Sequence, residues 1–365
     1  MDRKYITQME PWFDDKEADA LHAYMKSGGW VTEYERTREF ENAICQFTGA
    51  KHCIAVNNGT ISLTLALLVG GVKNGDEVLV PNLTMVATAN AVILAGAKPV
   101  FVDVREDTLC MDSNDAKKQL SEKTKALIYV SFNGRTNDPL EIDEFCQQNE
   151  LLFIEDAAQS LGSYYNGKHL GTFGKIGSFS FSVPKIITTG QGGALITDDD
   201  QIADSLRRLK DFGRAKGGID IHDTIGYNFK FTDIQAVIGL EQMKKLDYRV
   251  KRKKEIYRKY QDELKDIEAI EFIPTNLSDC SPWFIDSYVP DPDQLKNHLH
   301  EKQIGTRKVY PPITSQKAYS GYAINRSFPA TERYSARGLW LPSSSRLTDE
   351  EIIYICEKIR EYYSD

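Results

Sequence analysis

Two kinds of apolar spacing divide this chain. In DDKEADALHAYMKSGG, acidic residues lead, apolar residues recur at helical intervals and a glycine pair closes the stretch, which predicts a first helix; a second is expected over 37–47. From residue 52 the pattern changes to short runs that are apolar almost throughout: HCIAV (52–56), EVLVP (77–81), KPVFVDV (98–104), KALIYVSF (125–132), LLFIED (151–156), SFSFS (178–182) and GALIT (193–197). Helix-like stretches near 60–70, 84–96, 112–121 and 139–149 separate them. Strands apolar on both faces need cover on both, and intervening helices are the crossovers that parallel strands require. The expected core is therefore α/β, a mostly parallel central sheet covered by helices. Helical spacing then dominates from 199 to about 264, with a long charged helix over 246–264, and beyond 267 shorter strands and helices follow. The expected division is a large α/β domain over 1–250, N-terminal helices included, and a smaller C-terminal α+β domain over 251–365.

Composition narrows the class. With 365 residues, 41% hydrophobic and 27% charged, the chain is an ordinary globular one, and no apolar run approaches the roughly 20 residues that span a bilayer. The start, MDRKYITQMEPWF, lacks the apolar segment of an export signal, so a cytoplasmic location is expected. Six cysteines are scattered without a CxxC pair or a histidine at metal spacing, which suits isolated thiols and no metal site. The net charge of −8 is spread along the chain; the basic stretch KKLDYRVKRKKEIYRKY reads as a solvated helix face rather than a nucleic-acid patch.

Ligands of open parallel sheets bind beyond the carboxyl ends of the strands. Three such ends carry candidate chemistry. After HCIAV the chain runs through Asn57, Asn58, Gly59 and Thr60 straight into an apolar helix: free N–H groups at a helix start suit a phosphate, and equally Asn58 or Thr60 would serve as a helix cap. Neither GxGxxG nor GxxxxGK[ST] is present, which disfavours nicotinamide and ATP. After LLFIED, Asp156 is placed to hold a protonated ring nitrogen, a ribose or a metal, or to cap the next helix. Lys185 follows 29 residues later in FSFSVPKIITTGQGGALIT, either as a turn lysine or as an amine whose proton affinity is lowered by apolar flanks. A phosphate cradle, a strand-end carboxylate and a later lysine, in that order on an α/β sheet, are the parts that a pyridoxal phosphate (PLP) enzyme needs.

The blocks NNGTISLTLAL, VPNLTMVATANAV, GAKPVFVDV, FIEDAAQSLGSYYNGKHLGTFGKIGSFSFSVPKIITTGQGGALITDD, GYNFKFTDIQAVIGLEQ and GLWLPSSSRLTDEEIIYI resemble the StrS-type nucleotide-sugar aminotransferases of the fold type I PLP class, from about residue 30 to the C-terminus. Within that family they look most like perosamine-synthase-like enzymes, which aminate a 4-keto-6-deoxy sugar. The resemblance implies that Lys185 forms the Schiff base and shuttles the proton, that Asp156 partners the pyridinium nitrogen, and that Gln159 lies on the ring-hydroxyl side. It implies a phosphate held by Gly59, Thr60 and Ser180, with Asn228 reaching the phosphate of a neighbouring subunit, hence a homodimer with shared active sites. It places Met85 on the cofactor ring, and Trp30, Arg307 and Tyr310 on the substrate side. L-Glutamate and a keto-sugar nucleotide are the implied substrates, in amino-sugar biosynthesis for a surface polysaccharide such as O-antigen or lipopolysaccharide.

Several positions depart from the family pattern. Met85 replaces an aromatic residue, Gln191 the glutamate of TTGEGG, Pro184 a small polar residue, and SFNGR at 131–135 a His-Tyr-Gly segment, changes expected near the substrate. Related dehydratases carry histidine in place of the lysine, so Lys185 favours transamination. A 3-keto sugar aminotransferase, another fold type I lyase or dehydratase, and a PLP-binding regulatory homologue are the alternatives.

Overall fold

The computed structural model describes residues 4–215, 219–322 and 326–364. Helices α1 (Asp15–Lys26) and α2 (Glu35–Thr48) precede β1 (His52–Val56). There follow in alternation α3 (Gly59–Val69), β2 (Glu77–Pro81), α4 (Ala87–Leu94), β3 (Lys98–Val102), α5 (Ser113–Gln119), β4 (Thr124–Val130), α6 (Pro139–Gln148) and β5 (Leu152–Asp156). A short hairpin, β6 (Tyr164–Tyr165) and β7 (Lys168–His169), leads to β8 (Ile176–Ser180), β9 (Gly193–Thr197) and α7 (Asp200–Lys210). After α8 (Asp233–Met243) and α9 (Leu246–Leu264) come β10 (Ile285–Tyr288), α10 (Pro292–Glu301), β11 (Arg307–Lys308), α11 (Pro329–Arg337), β12 (Gly338–Leu341) and α12 (Asp349–Ser364).

The seven-stranded sheet has the order β1-β9-β8-β5-β4-β2-β3. It is parallel from β8 through β3, and β9 runs against both of its neighbours. The mostly parallel α/β core expected from the runs of apolar residues is present, with β1, β2, β4, β5, β8 and β9 buried along nearly their whole length. A second sheet, β10-β12-β11, is antiparallel and belongs to the smaller unit.

Three expected elements differ from those observed. The helix expected over 84–96 begins only at Ala87, because Thr84 and Thr88 pair through their hydroxyls (3.1 Å) and the chain turns there; Met85 is thereby left outside the helix, 43% exposed. The run SFSFS ends as a strand at Ser180, where Ser182 and Lys185 close a turn (Lys185 N–H to Ser182 O, 3.0 Å). The region after α7 is not continuously helical: at Gly213, φ is +78° and a Cβ would come within 1.8 Å of the Thr224 carbonyl oxygen, so two irregular segments lie against each other there.

As a proposed division, 1–250 and 251–365 cuts across the continuous helix α9. Residues near the N-terminus also join the smaller unit, since Ile6 bridges Ile304 and is buried with Leu295, Leu299 and Leu339. The two units share one apolar cluster in which Leu79, Tyr129 and Phe132 pack with Trp283, Phe284 and Trp340.

His169 shows how burial fixes a titration state. Gly162 N–H donates to Nε2 (2.9 Å) while Nδ1 donates to the Leu170 carbonyl (2.5 Å), so the ring is neutral, and burial pulls its pKa down to about 4 despite the favourable Leu170 contact. The unfolded chain takes up this proton near pH 6.5 and the folded chain does not, so stability falls as pH drops from 6.5 toward 4, by about 3 kcal/mol for this group. Urea unfolding at several pH values is expected to show a shallower acid loss in His169→Gln than in the wild type.

Candidate active site

Strand direction assembles the site. β1, β8, β5, β4, β2 and β3 share one direction, so Val56, Ser180, Asp156 and Pro81 all end at one edge of the sheet, and reversed β9 starts there with Gly193 facing Ser180. The start of α3 is pressed into this edge. A Cβ on Gly59 would come 2.8 Å from the Ser180 Cβ, and one on Gly193 would come 2.5 Å from the Asn58 carbonyl carbon, so both positions demand glycine. Asn58 does cap α3, accepting from Ile61 N–H (2.9 Å), and the first turn has no acidic side chain. Gly59 and Thr60 therefore present to the cleft a helix start suited to an anion, and the Asn58 cap does not preclude that use.

Adjacent carboxyls at the end of β5 go to opposite faces, as the period of a strand requires. Glu155 accepts from the N–H groups of Gly171 (2.8 Å), Phe173 (2.6 Å) and Gly174 (2.7 Å), clasping a turn. Asp156 faces the cleft, with Thr88 Oγ1 (2.8 Å) and Ala158 N–H (3.2 Å) donating to it. Burial raises its pKa, and the Thr88 hydrogen bond and the Lys185 charge offset this only in part.

Lys185 lies on the loop between β8 and β9, which closes on itself through Phe181 N–H to Gly192 O (2.8 Å) and Thr189 N–H to Phe181 O (3.0 Å). Arg249 on α9 holds the next residue, donating to Ile186 O (2.8 Å). The lysine is 9% exposed, and burial lowers its amine to about 8 against the opposing pull of Asp156. An amine titrating there is available as a base near neutrality.

A cleft of about 580 Å³ collects Gly59, Thr60, Met85, Asp156, Gln159, Ser180, Lys185, Arg307 and Tyr310, which is the size of an ordinary cofactor and substrate pocket. Trp30 and Asn228 stand apart from it within this chain. Trp30 is 65% exposed, its carbonyl accepting from Tyr24 Oη (2.6 Å), and Asn228 is exposed and bridges Asp211. Pro184 and Gln191, two of the departures from the family pattern, do line the cleft. The SFNGR segment does something else. Asn133, at φ +52°, donates its N–H to Gln159 Oε1 (2.9 Å), and Arg135 makes a buried bidentate pair with Asp286 (3.0 and 2.6 Å). That segment orients Gln159 and ties it to the smaller unit rather than presenting side chains to the cleft.

The residue that sequence reading missed is Trp283, which walls the cleft with its ring centroid 4.0 Å from Lys185 Nζ. Its only trace in the sequence is an aromatic pair in SPWFIDSY, indistinguishable from ordinary core. Thr88, the partner of Asp156, was equally hidden inside an apolar helix.

A model described as the DegT/DnrJ/EryC1/StrS aminotransferase family matches residues 12–360. The chain is 36% identical to a GDP-perosamine synthase of Escherichia coli O157:H7 (99% of this chain, 100% of the relative). It is 34% identical to a GDP-perosamine synthase of Vibrio cholerae (98% and 99%). Among solved structures, the aminotransferase TlmJ from Streptoalloteichus hindustanus superposes with a TM-score of 0.93 at 28% identity, over 99% of both chains.

Proposed function

The chain belongs to the DegT/DnrJ/EryC1/StrS aminotransferase family, and from that premise we propose that it moves the amino group of L-glutamate to the 4-keto carbon of a GDP-linked 6-deoxyhexose, giving an amino sugar of the perosamine type. It is a PLP-dependent nucleotide-sugar aminotransferase; the choice of sugar and nucleotide rests on the two relatives named as GDP-perosamine synthases. The observation that carries the residue assignments is the convergence of Lys185, Asp156 and the corner formed by Gly59, Thr60 and Ser180 in one cleft.

The residues present fit PLP. Burial raises the proton affinity of Asp156 and the Lys185 charge offsets this only in part, so a protonated ring nitrogen beside it would be a further favourable partner. The glycine at 59 and the uncharged first turn of α3 suit a phosphate. Bound there, the cofactor would supply an aldehyde carbon for amines to attack and a protonated ring that draws electrons from the substrate carbon.

The side chains divide the work. Gly59, Thr60 and Ser180 would hold the phosphate, and Met85 would pack its thioether on the ring face. Asp156 would keep the ring nitrogen protonated. Gln159, its Oε1 engaged by Asn133, would have its amide nitrogen free to donate to the ring hydroxyl. Lys185 Nζ would carry the proton between the substrate carbon and the cofactor within each half of the reaction, in opposite directions in the two halves. Arg307 and Tyr310, which line the cleft, would flank the nucleotide sugar.

The reading includes a homodimer in which Asn228 reaches the phosphate site of a second copy and Trp30 meets substrate there. The solvent-open apolar side chains on the same segments, Val31, Ile225 (88% exposed) and Tyr227, support it. A cytoplasmic location and a product destined for surface polysaccharide complete it; no helix among the described residues is long and apolar enough to cross a membrane. The test is to incubate the purified protein with PLP, L-glutamate and GDP-, UDP- and dTDP-linked keto sugars. A visible band that glutamate bleaches, followed by amination of the GDP-4-keto sugar by mass spectrometry, is expected. A band indifferent to glutamate sinks the transfer reading, and amination of another nucleotide sugar alone sinks the choice of substrate.

A further inference from the structure

Trp283 is held too firmly to be filler beside Lys185. Its Nε1 donates to the Pro184 carbonyl (2.7 Å), its own carbonyl accepts from the buried Lys253 Nζ (2.7 Å), and its ring stacks on Phe284 (3.9 Å between centroids) and meets Trp340 edge-on. Lys253 is itself pinned by a second bond to the Ser343 carbonyl, and lies one helical turn after Arg249, which holds the Lys185 loop at Ile186. Helix α9 thus fixes both the loop that carries the amine and the ring against which the amine rests.

We propose that the indole face of Trp283 seats the free amine of Lys185 in its charged form, so that Trp283 and Asp156 together set the pH at which that amine releases its proton. Indole is the strongest aromatic partner for a cation, and the attraction is largest where water is excluded, as at this 4%-exposed ring. A neutral amine loses the attraction, so the ring distinguishes the two protonation states of the free lysine. Trp283 touches the reacting nitrogen and is a catalytic residue in that sense. Among the described residues, the other charged or titratable groups around the amine and its loop are Asp156 from β5, Arg307 and Tyr310 on and beyond β11, and Arg249 and Lys253 from α9, the former at Ile186 and the latter behind the indole. All of them remain when Trp283 is replaced.

Two effects of this side chain have opposite signs. Its face stabilises the ammonium, whereas its bulk excludes water and destabilises it. Replacing a mere space-filler would therefore raise the proton affinity of Lys185, and replacing a cation seat lowers it. The proposal rests on Lys185 being the working amine, and its test uses neither cofactor nor substrate. The protein without PLP is labelled with an amine-acylating reagent across a pH series, and the Lys185 peptide is quantified by mass spectrometry. The midpoint is expected to fall by about one pH unit in Trp283→Leu and by less in Trp283→Phe. An unchanged or raised midpoint in Trp283→Leu overturns the proposal; should that variant not fold, the sign of the shift in Trp283→Phe decides in the same way. Because no transfer is measured, failure of the aminotransferase reading would leave this outcome separately legible.

Discussion

Lys185→Ala is expected to lower kcat by about 10²–10⁴-fold or more, the range lost when a positioned acid–base group is removed, while PLP stays bound non-covalently. The phosphate corner at Gly59, Thr60 and Ser180 and the carboxyl of Asp156 are untouched by the change, so retention of cofactor separates loss of chemistry from loss of the site. Fold should survive, because the loop is held by backbone bonds at Phe181, Thr189 and Ile186 rather than by the lysine side chain. In the wild type the same amine predicts a direction in pH. Burial holds it at about 8, so its neutral, proton-accepting fraction grows as pH rises toward that value, and a rate limited by proton abstraction rises with it. Steady-state rates for wild type and variant across neutral pH test both points; turnover retained in Lys185→Ala would refute the assigned role.

Asp286→Ala is expected to cost about 3–5 kcal/mol of stability by leaving the Arg135 guanidinium buried without its partner. The pair is bidentate and both side chains are almost wholly buried, with Tyr288 Oη adding a third bond to the carboxylate (2.9 Å). Burial alone would push the pKa of Asp286 up; the charge and hydrogen bonds of Arg135, with help from Tyr288, outweigh it and bring it below the ordinary value. A carboxyl so depressed contributes its stability above the unfolded pKa of 3.8, and that contribution is lost as pH falls through the folded value. Denaturant titration of Asp286→Ala at neutral pH measures the cost. The double variant Arg135→Met, Asp286→Met should recover part of it, because no charge is then buried alone. A loss below about 1 kcal/mol in the single variant would mean that the pair does not join the two units as described.

What could be read in the sequence was what neighbouring residues decide. The strands of the large sheet lie within a few residues of their apolar runs, and α9 occupies the expected 246–264, because side-chain period and helix signals are local properties. Asp156, Gly59 and Lys185 stood out for the same reason: each follows a strand end, and the edge of a parallel sheet gathers such positions. Resemblance to a family added what local pattern lacks, such as Arg307 and Tyr310, which reach the same cleft from a separate unit more than 100 residues later in the chain.

Tertiary packing alone decided the rest. Whether GALIT runs with or against its neighbours depends on the tight return of the 181–192 loop, not on its composition. The same apolar tryptophan could have filled any core, and only the approach of the smaller unit brings Trp283 against Lys185, 98 residues earlier in the chain. SFNGR looked like an altered substrate loop, yet Arg135 finds Asp286 and Asn133 finds Gln159 across the same junction. Local sequence sets which elements form and which residues stand at their ends, since those follow from backbone geometry and side-chain periodicity. Contacts between distant segments depend on how whole surfaces fit, and there a buried charge or a ring face acquires a partner that no local pattern specifies.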